Sequence, residues 1–216
     1  MDNKVIMTGK NAQSYVFNNA NNAVININNQ CSIETNEEKS EEKSVLDDVY
    51  DLTMKICQEF KHQVEDMRMG QEFYREGKKP TETSWQMLFN SIAISYTQGG
   101  KNNVHITREA NPGVGEIDFQ VTCGEKANVC IEMKRSSNSY IYHGYTEQLP
   151  AYMRAERAER GIFIIIEEDD KNKKQITEVL HKKEELENEG RYAPEVIIIN
   201  GRYQPSASKP NYKVNV

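Results

Sequence analysis

Two acids and a lysine near the middle of the chain have the residue types and the spacing for metal-assisted hydrolysis. Asp118 lies in the segment IDFQVTC, and Glu132 and Lys134 lie in the segment ANVCIEMKR, which follows after a short turn. Both segments alternate apolar and polar residues, as strands do when their side chains point to opposite faces of a sheet. The sequence therefore predicts a β-hairpin over residues 115–136 that carries all three side chains.

The apolar residues of the hairpin fix its register. Centring the turn on Glu125 aligns three apolar pairs on one face: Ile117 with Met133, Phe119 with Ile131, and Val121 with Val129. A shift of the pairing by one residue would place charged side chains in the core. A shift by two would leave every side chain on the same face of the sheet, but Asp118 and Glu132 would no longer lie directly opposite each other. In the centred register Asp118 faces Glu132, with Cβ atoms about 5 Å apart.

Like charges that face each other at this distance destabilise a strand pair unless something compensates them. Mg²⁺ suits the position because it prefers oxygen ligands and uses one or two carboxylates with several waters, and Mn²⁺ accepts the same ligands. Such an ion would acidify bound water and neutralise charge on a phosphate. Lys134 lies about 7 Å beyond Glu132 on the same face, where its ammonium would hold the water or the phosphate. The alternative is a solvated strand face with a surface ion pair.

Elements in the order α-β-β-β-α-β-α-β are predicted from residue 81 onward. The first helix has a capping box from Thr83 to Gln86 and ends before the Gly-Gly at 99–100. Strands follow at NVHITRE, in the two arms of the hairpin, at GIFIIIEE and at PEVIIIN, with helices in YTEQLPAYMRAERAE and QITEVLHKKEELENE. This order predicts an α/β sandwich around a mixed sheet.

Two segments precede this domain, which we place at residues 80–216. Residues 1–43 are rich in Asn and end near a charge run, and they are either a poorly ordered tail or an oligomerising strand whose Asn side chains stack between chains. Residues 44–79 have apolar residues at spacings of three or four, which predicts a helical arm. This helix either packs on its own domain or pairs between subunits.

Composition restricts the partners and the compartment. The net charge is −6, so a nucleic-acid partner requires basic residues gathered on one face. The apolar runs have the length of strands, which argues against a membrane span, and the N-terminus lacks the pattern of a secretion signal. The four cysteines include no CxxC pair, so we expect a protein of the reducing cytoplasm.

Asp118, followed on the next strand by Glu132-Met133-Lys134, resembles the motif of the PD-(D/E)XK nuclease superfamily. Ile117 stands where that motif has a proline. The resemblance covers about two thirds of the chain, from the first helix of the domain to the C-terminus. It implies the restriction-endonuclease-like fold, an α-β-β-β-α-β core with a mixed central sheet flanked by helices.

Gln148 and Tyr152 are similar to the QxxxY motif of the RecB-like branch of that superfamily. Residues four apart share one face of a helix, so both side chains are placed to support the acids or a substrate strand. Pro150 lies between them and is tolerated more easily if the helix begins near Thr146.

The resemblance implies a Mg²⁺-dependent nuclease, with Mn²⁺ as a substitute ion, that hydrolyses phosphodiester bonds. The metal ligands would be Asp118, Glu132 and the backbone region of Met133, with Lys134 as the catalytic cation. A further glutamate often comes from the preceding helix in this superfamily. Glu82 is the candidate, with Glu109 and Glu116 as its rivals.

Partners also follow from the resemblance. We expect a nucleic acid, DNA in preference to RNA, contacted by Arg135, Ser136 and Arg154, although acids near Arg154 also fit a solvated ion-pair face. A homo-oligomer, a regulatory partner protein and a setting in bacterial defence are further expectations. The rival hypotheses are a catalytically silent scaffold that keeps the nuclease fold for assembly and a resolvase specific for branched duplexes.

Overall fold

The computed structural model describes residues 45–74, 78–97, 103–110 and 115–204, so the predicted tail or strand at 1–43 lies outside the described residues. The described residues contain the strands β1 (His105–Ala110), β2 (Ile117–Cys123), β3 (Ala127–Arg135), β4 (Arg160–Glu167) and β5 (Glu195–Asn200). Their helices are α1 (Val45–Glu65), α2 (Glu82–Thr97), α3 (Ile141–His143), α4 (Leu149–Ala155) and α5 (Lys173–Asn188), with a 3₁₀-helix at Met69–Phe73 and a π-helical turn at Gly144–Gln148. Within these ranges no helix combines the length and the apolar character needed to cross a membrane.

The strands form one mixed sheet in the order β1-β2-β3-β4-β5. Neighbours are antiparallel from β1 to β3 and parallel from β3 to β5. Since α3, the π-helical turn and α4 follow one another without a break, they count as one helical unit. The predicted element order and the mixed sheet flanked by helices are confirmed. The narrower assignment to the restriction-endonuclease-like fold stays a prediction.

The hairpin pairs β2 with β3 in the predicted register, with Phe119 opposite Ile131. The prediction for Ile117 is wrong, because this residue does not join the ladder and packs in the apolar cluster on the other face of the sheet. The neighbouring edge strand is irregular at the same position. Glu109 has a left-handed φ of 54°, which is uncommon outside glycine, and regular pairing is interrupted opposite Asp118. β2 leaves β3 at Asp118, so the predicted cross-strand pair of Asp118 with Glu132 is not part of the β2–β3 ladder either.

Apolar side chains cover both faces of the sheet. The face toward α1 and α2 includes Phe119, Ile131, Met133, Ile162 and Ile164. The face toward α3, α4 and α5 includes Ile117, Cys130, Phe163 and Ile165, and Leu149 of α4 belongs to the same cluster. Each such buried side chain contributes roughly 1.5–3 kcal/mol. Because β3 and β4 are buried on both faces, they form a rigid support for polar side chains that emerge from them.

The described part of the predicted arm, residues 45–74, contributes to this core through α1. α1 buries Ile56, Phe60 and Val64 against the sheet and α2. The Phe60 ring meets the Phe89 ring of α2 edge to face, with centroids 5.3 Å apart. The prediction of a helical arm is corrected in this respect. An apolar stripe has the same spacing whether it packs on its own sheet or on a second subunit.

The start of α2 also differs from the prediction. The helix begins at Glu82, and the Thr81 hydroxyl accepts the Ser84 N–H at 3.1 Å, so Thr81 is the N-cap residue. The capping box predicted at Thr83 is therefore wrong by two residues. As a consequence Gln86, expected to complete that box, lies on the buried face of the helix.

Candidate active site

Asp118, Glu132 and Lys134 converge where β2 leaves β3. Their exposed fractions are 9%, 2% and 8%, so the solvated strand face considered above is wrong. The Lys134 ammonium donates to Glu132 Oε1. Asp118 Oδ2 accepts the backbone N–H of Met133 at 2.6 Å, which ties the aspartate to the strand that carries the other two groups.

The alternation of β3 explains why two charged side chains lie inside the protein. Glu132 and Lys134 alternate with the apolar Ile131 and Met133, which fill the opposite face. The parallel neighbour β4 places Phe163 beside Glu132. The acid and the lysine therefore point into the layer between the sheet and α4, where little water reaches them.

Burial and charge shift the ionisation of all three groups. Burial raises the pKa of Asp118 to about 8, and the charge of Glu132 adds to the rise, while Lys134 and the Met133 N–H oppose it. Burial likewise raises the pKa of Glu132 despite the adjacent ammonium. Burial alone would lower the pKa of Lys134, but the Glu132 charge outweighs it and the net change is upward. The site therefore holds two carboxyl groups and a single ammonium, all three shielded from solvent.

One carboxylate oxygen in this site has no protein donor. Glu132 Oε2 is buried without a hydrogen-bond partner, although Oε1 of the same group binds Lys134. Buried polar atoms almost always have a partner, so the partner of Glu132 Oε2 is a water or a ligand. With both acids ionised, Asp118 and Glu132 exceed the single positive charge of Lys134, and a bound cation would compensate the difference.

The donor set suits Mg²⁺ or Mn²⁺. Two carboxylates and the nearby backbone of Met133 are oxygen ligands, and Mg²⁺ keeps several waters beside one or two protein carboxylates. Each Asp118 oxygen has a lone pair left beyond its hydrogen bond. Across the part of the chain that the structure describes, no group of three or more His, Cys, Asp or Glu residues forms a metal cluster. A water-rich ion held by two acids does not need one.

Glu82 is the acid that the structure brings to this pair. It lies half-buried in the first turn of α2, and its negative charge raises the pKa of both Asp118 and Glu132. Glu109 instead pairs with Arg108 on the exposed edge strand. Glu116 lies near Tyr152 instead. Burial is the main cause of the raised pKa of Tyr152, and the negative charge of Glu116 is one of the smaller causes.

The chain matches the model of a protein family over residues 49–170, which is more than half of its length. The family is described as Domain of unknown function (DUF8371). The chain belongs to this family. No curated protein and no solved structure matches it. The matched range includes most of α1, the sheet as far as β4 and every residue of the site described above, so α1 lies within the family domain.

Gln148 lies at the end of a π-helical turn in this family domain. The Leu149 N–H donates to the Gly144 carbonyl five residues earlier, and Pro150 lies in the first turn of α4, which follows. Proline has no N–H and clashes with the carbonyl four residues before it, which explains the wider turn. The helical unit starts at Ile141, earlier than the start near 146 that we predicted. Gln148 Oε1 is a second buried atom without a partner.

Tyr152 is 7% exposed and lies close enough to the acids for the Glu132 and Asp118 charges to raise its pKa. The backbone of Gly115 lies close to the Tyr152 hydroxyl. A Cβ at Gly115 would stand 3.0 Å from that oxygen, and the φ of +126° is itself one that glycine adopts without strain. The segment entering β2 is therefore shaped to leave room for the phenol.

Gly144 makes room for Lys134. A Cβ at Gly144 would stand 3.3 Å from Lys134 Cε and 3.1 Å from the Phe163 ring. We expect Gly144→Ala to displace the Lys134 ammonium and to lower the activity predicted for it about 10-fold, since small displacements of a reacting group are costly. Stability should change by less than about 1 kcal/mol, because alanine favours a helix. Cleavage rates and thermal unfolding would check this, with Thr146→Ala as the control in the same turn. Equal rates for both variants would contradict it.

The predicted nucleic-acid contacts do not gather around the acids. Ser136 is fully buried, and its hydroxyl accepts the N–H groups of Glu168 and Asp169 at 3.0 and 3.2 Å. Its predicted contact with nucleic acid is corrected, because a Ser at a strand end has the same sequence signal whether it faces solvent or a neighbouring loop. Arg135 binds both oxygens of Glu168 at 2.8–3.0 Å. Arg154 is exposed on α4.

Arg135 therefore supports the fold. The Glu168 carboxylate is fully buried and also accepts the Trp85 indole N–H at 2.7 Å. We expect Arg135→Met to lower the free energy of unfolding by about 3–5 kcal/mol, because it leaves a buried charge without its cation. The matched change Arg154→Met should stay within about 0.5 kcal/mol. Urea unfolding at neutral pH measures both, and similar values for the two variants would refute the assignment.

Proposed function

We propose that this protein is a divalent-cation-dependent nuclease that hydrolyses phosphodiester bonds, with DNA as the expected substrate. One observation carries the proposal: two acids and a lysine are buried together, and Glu132 Oε2 among them has no donor. An inactive protein gains nothing from this arrangement, since burying unbalanced charge costs several kcal/mol. The restriction-endonuclease-like fold inferred from the sequence motif agrees with it and belongs to the same proposal.

Asp118, Glu132 and the backbone region of Met133 would hold Mg²⁺ or Mn²⁺. When bound, the ion supplies charge neutralisation at the scissile phosphate and makes a nearby water more acidic. Glu132 is suited to this role because one of its oxygens has no protein partner. Asp118 is suited because two donors already fix its carboxylate.

Lys134 would orient the attacking water and stabilise charge on the phosphate. Its ammonium is held by Glu132 Oε1, so it is directed before substrate arrives. Gln148 and Tyr152 would support the same site from the helical unit, through a buried amide oxygen without a partner and a phenol beside the acids. Glu82 would add negative charge from α2.

The proposal also covers how the substrate reaches the site and in which cellular setting the protein acts. The net charge of −6 argues against strong binding of nucleic acid by the protein surface as a whole. We therefore expect Arg154 to contribute locally, and a homo-oligomer or a partner protein to bring the substrate in. A cytoplasmic role in bacterial defence fits such recruitment.

Cleavage assays test the proposal against its rivals. Purified protein would be incubated with plasmid, linear duplex, single strand, four-way junction and RNA, each with Mg²⁺, with Mn²⁺ and with EDTA. We expect cleavage of DNA with either ion and none with EDTA. Cleavage confined to the junction would favour a resolvase. No cleavage of any substrate would favour the silent scaffold, and cleavage that persists in EDTA would refute the metal-dependent mechanism.

A further inference from the structure

A hydrogen-bonded chain reaches Asp118 from outside the predicted motif. Gln86, 6% exposed on α2, donates from Nε2 to Asp118 Oδ1 at 2.6 Å. Arg108 of β1 donates from Nη2 to Gln86 Oε1 at 3.4 Å. We infer that Gln86 is a positioning residue that fixes the Asp118 carboxylate for metal binding, with Arg108 setting the direction of the Gln86 amide. This inference rests on the nuclease function proposed above.

The position of Asp118 explains why it needs such support. β2 leaves the β3 ladder at this residue, so regular strand pairing does not hold it. The carboxylate is instead gripped on both oxygens, by Gln86 from α2 and by the Met133 N–H from β3, each at 2.6 Å. Two donors from different elements leave the carboxylate little freedom to rotate.

The amide of Gln86 has a defined direction. The oxygen and nitrogen of an amide are interchangeable in shape, and the assignment follows from the partners. Arg108 has donors alone, so the Gln86 oxygen must face it and the NH₂ must face Asp118.

Gln86 acts through Asp118 and not on the substrate. Groups that orient a metal ligand in this way typically change metal affinity or activity by about 10–100-fold when they are removed. The sequence offered one signal for this role: Gln86 follows Glu82 by four residues and so shares its helix face.

The test compares metal dependence in matched variants. Gln86→Met keeps the length of the side chain and removes the donor. We expect it to weaken Mn²⁺ binding, measured by calorimetry without substrate, about 10-fold or more, and to raise the Mg²⁺ concentration for half-maximal cleavage by a similar factor. The rate at saturating Mg²⁺ should fall by a smaller factor. A general loss of structure would instead lower this rate without changing the Mg²⁺ concentration for half-maximal cleavage. Gln63→Met is the control, since Gln63 donates to Glu59 on α1. It should behave as the unmodified protein.

Arg108→Met tests the hydrogen bond from Arg108 to Gln86, and it replaces Gln86→Met in the comparison if that variant does not fold. We expect it to raise the half-saturating Mg²⁺ concentration in the same direction by a smaller factor, about 3-fold on the scale of outer-shell effects. Unchanged metal dependence in the folded variants, with normal Mg²⁺-dependent cleavage by the unmodified protein, would overturn the role of Gln86 and leave the nuclease function standing. No cleavage by the unmodified protein would overturn both.

Discussion

Replacing Lys134 by methionine should lower the rate of phosphodiester cleavage about 10³-fold, within the range for loss of a catalytic proton-handling or charge-stabilising group. Methionine keeps the apolar stem beside Gly144 and removes the ammonium that contacts Glu132. The rate would be measured on a labelled duplex at saturating Mg²⁺. Lys174→Met is the matched control, because the Lys174 side chain is 89% exposed on α5 and should be dispensable.

The same change leaves Glu132 buried without its cation, so loss of folding must be separated from loss of catalysis. The double variant Glu132→Gln with Lys134→Met removes both charges and should regain stability relative to Lys134→Met alone. It should nevertheless remain inactive. A Lys134→Met protein that folds and cleaves at the normal rate would refute the catalytic role of this lysine.

Asp118→Asn should make the metal-free protein more stable above pH 8. The folded pKa of Asp118 is about 8 and its ordinary value is 3.8, so the folded state holds the proton more tightly than the unfolded state does. Stability from this group is therefore full below about pH 4 and falls as the pH rises toward 8. Asparagine carries no charge and escapes this loss, but its NH₂ group must face one of the two donors that Asp118 accepts, which reduces the gain. The gain at pH 8.5 should be roughly 3 kcal/mol, below the upper limit set by the shift because Glu132 and Lys134 respond together.

Urea unfolding in EDTA at several pH values measures this gain. The exposed Glu184→Gln on α5 is the control and should follow the unmodified protein at each pH. Mg²⁺ should stabilise the unmodified protein more at pH 8.5 than at pH 5, because a protonated Asp118 does not bind it, and it should stabilise Asp118→Asn little. Parallel pH curves for Asp118→Asn and the unmodified protein would show that Asp118 is not held in a destabilising environment.

The two predictions describe one compromise between stability and function. Burying Asp118 and Glu132 together raises both pKa values and weakens the fold at neutral pH and above. A bound cation would offset this cost. The protein would then be most stable with its ion in place, and removing the Asp118 carboxylate would improve stability at the expense of activity, whereas removing that of Glu132 would leave the buried Lys134 ammonium unpaired.

The hairpin could be predicted from the sequence because its register depends on local alternation. Phe119 and Ile131 pair as the apolar pattern requires, and a slip by one residue would have exposed them. The departure at Ile117 could not be predicted. It coincides with the left-handed backbone of Glu109 on another strand, and a non-glycine residue gives no local signal for that conformation.

Contacts between distant segments account for the other differences. Gln86 and Asp118 are 32 residues apart, and the position of α2 over the sheet decides that they meet. The burial of Ser136 likewise depends on a loop from the far end of β4. The sequence left open whether α1 packs on its own domain or pairs between subunits for the same reason, since an amphipathic stripe shows that a helix packs without showing on what.

The most direct test is a crystal structure of the protein soaked in Mn²⁺, with the ion located by its anomalous scattering. The account predicts a peak in contact with the carboxylates of Asp118 and Glu132, on the side of Glu132 Oε2, and its absence from crystals of Glu132→Gln. Crystals in millimolar Mn²⁺ that show no peak between these two carboxylates, or one elsewhere in the protein, would contradict the account.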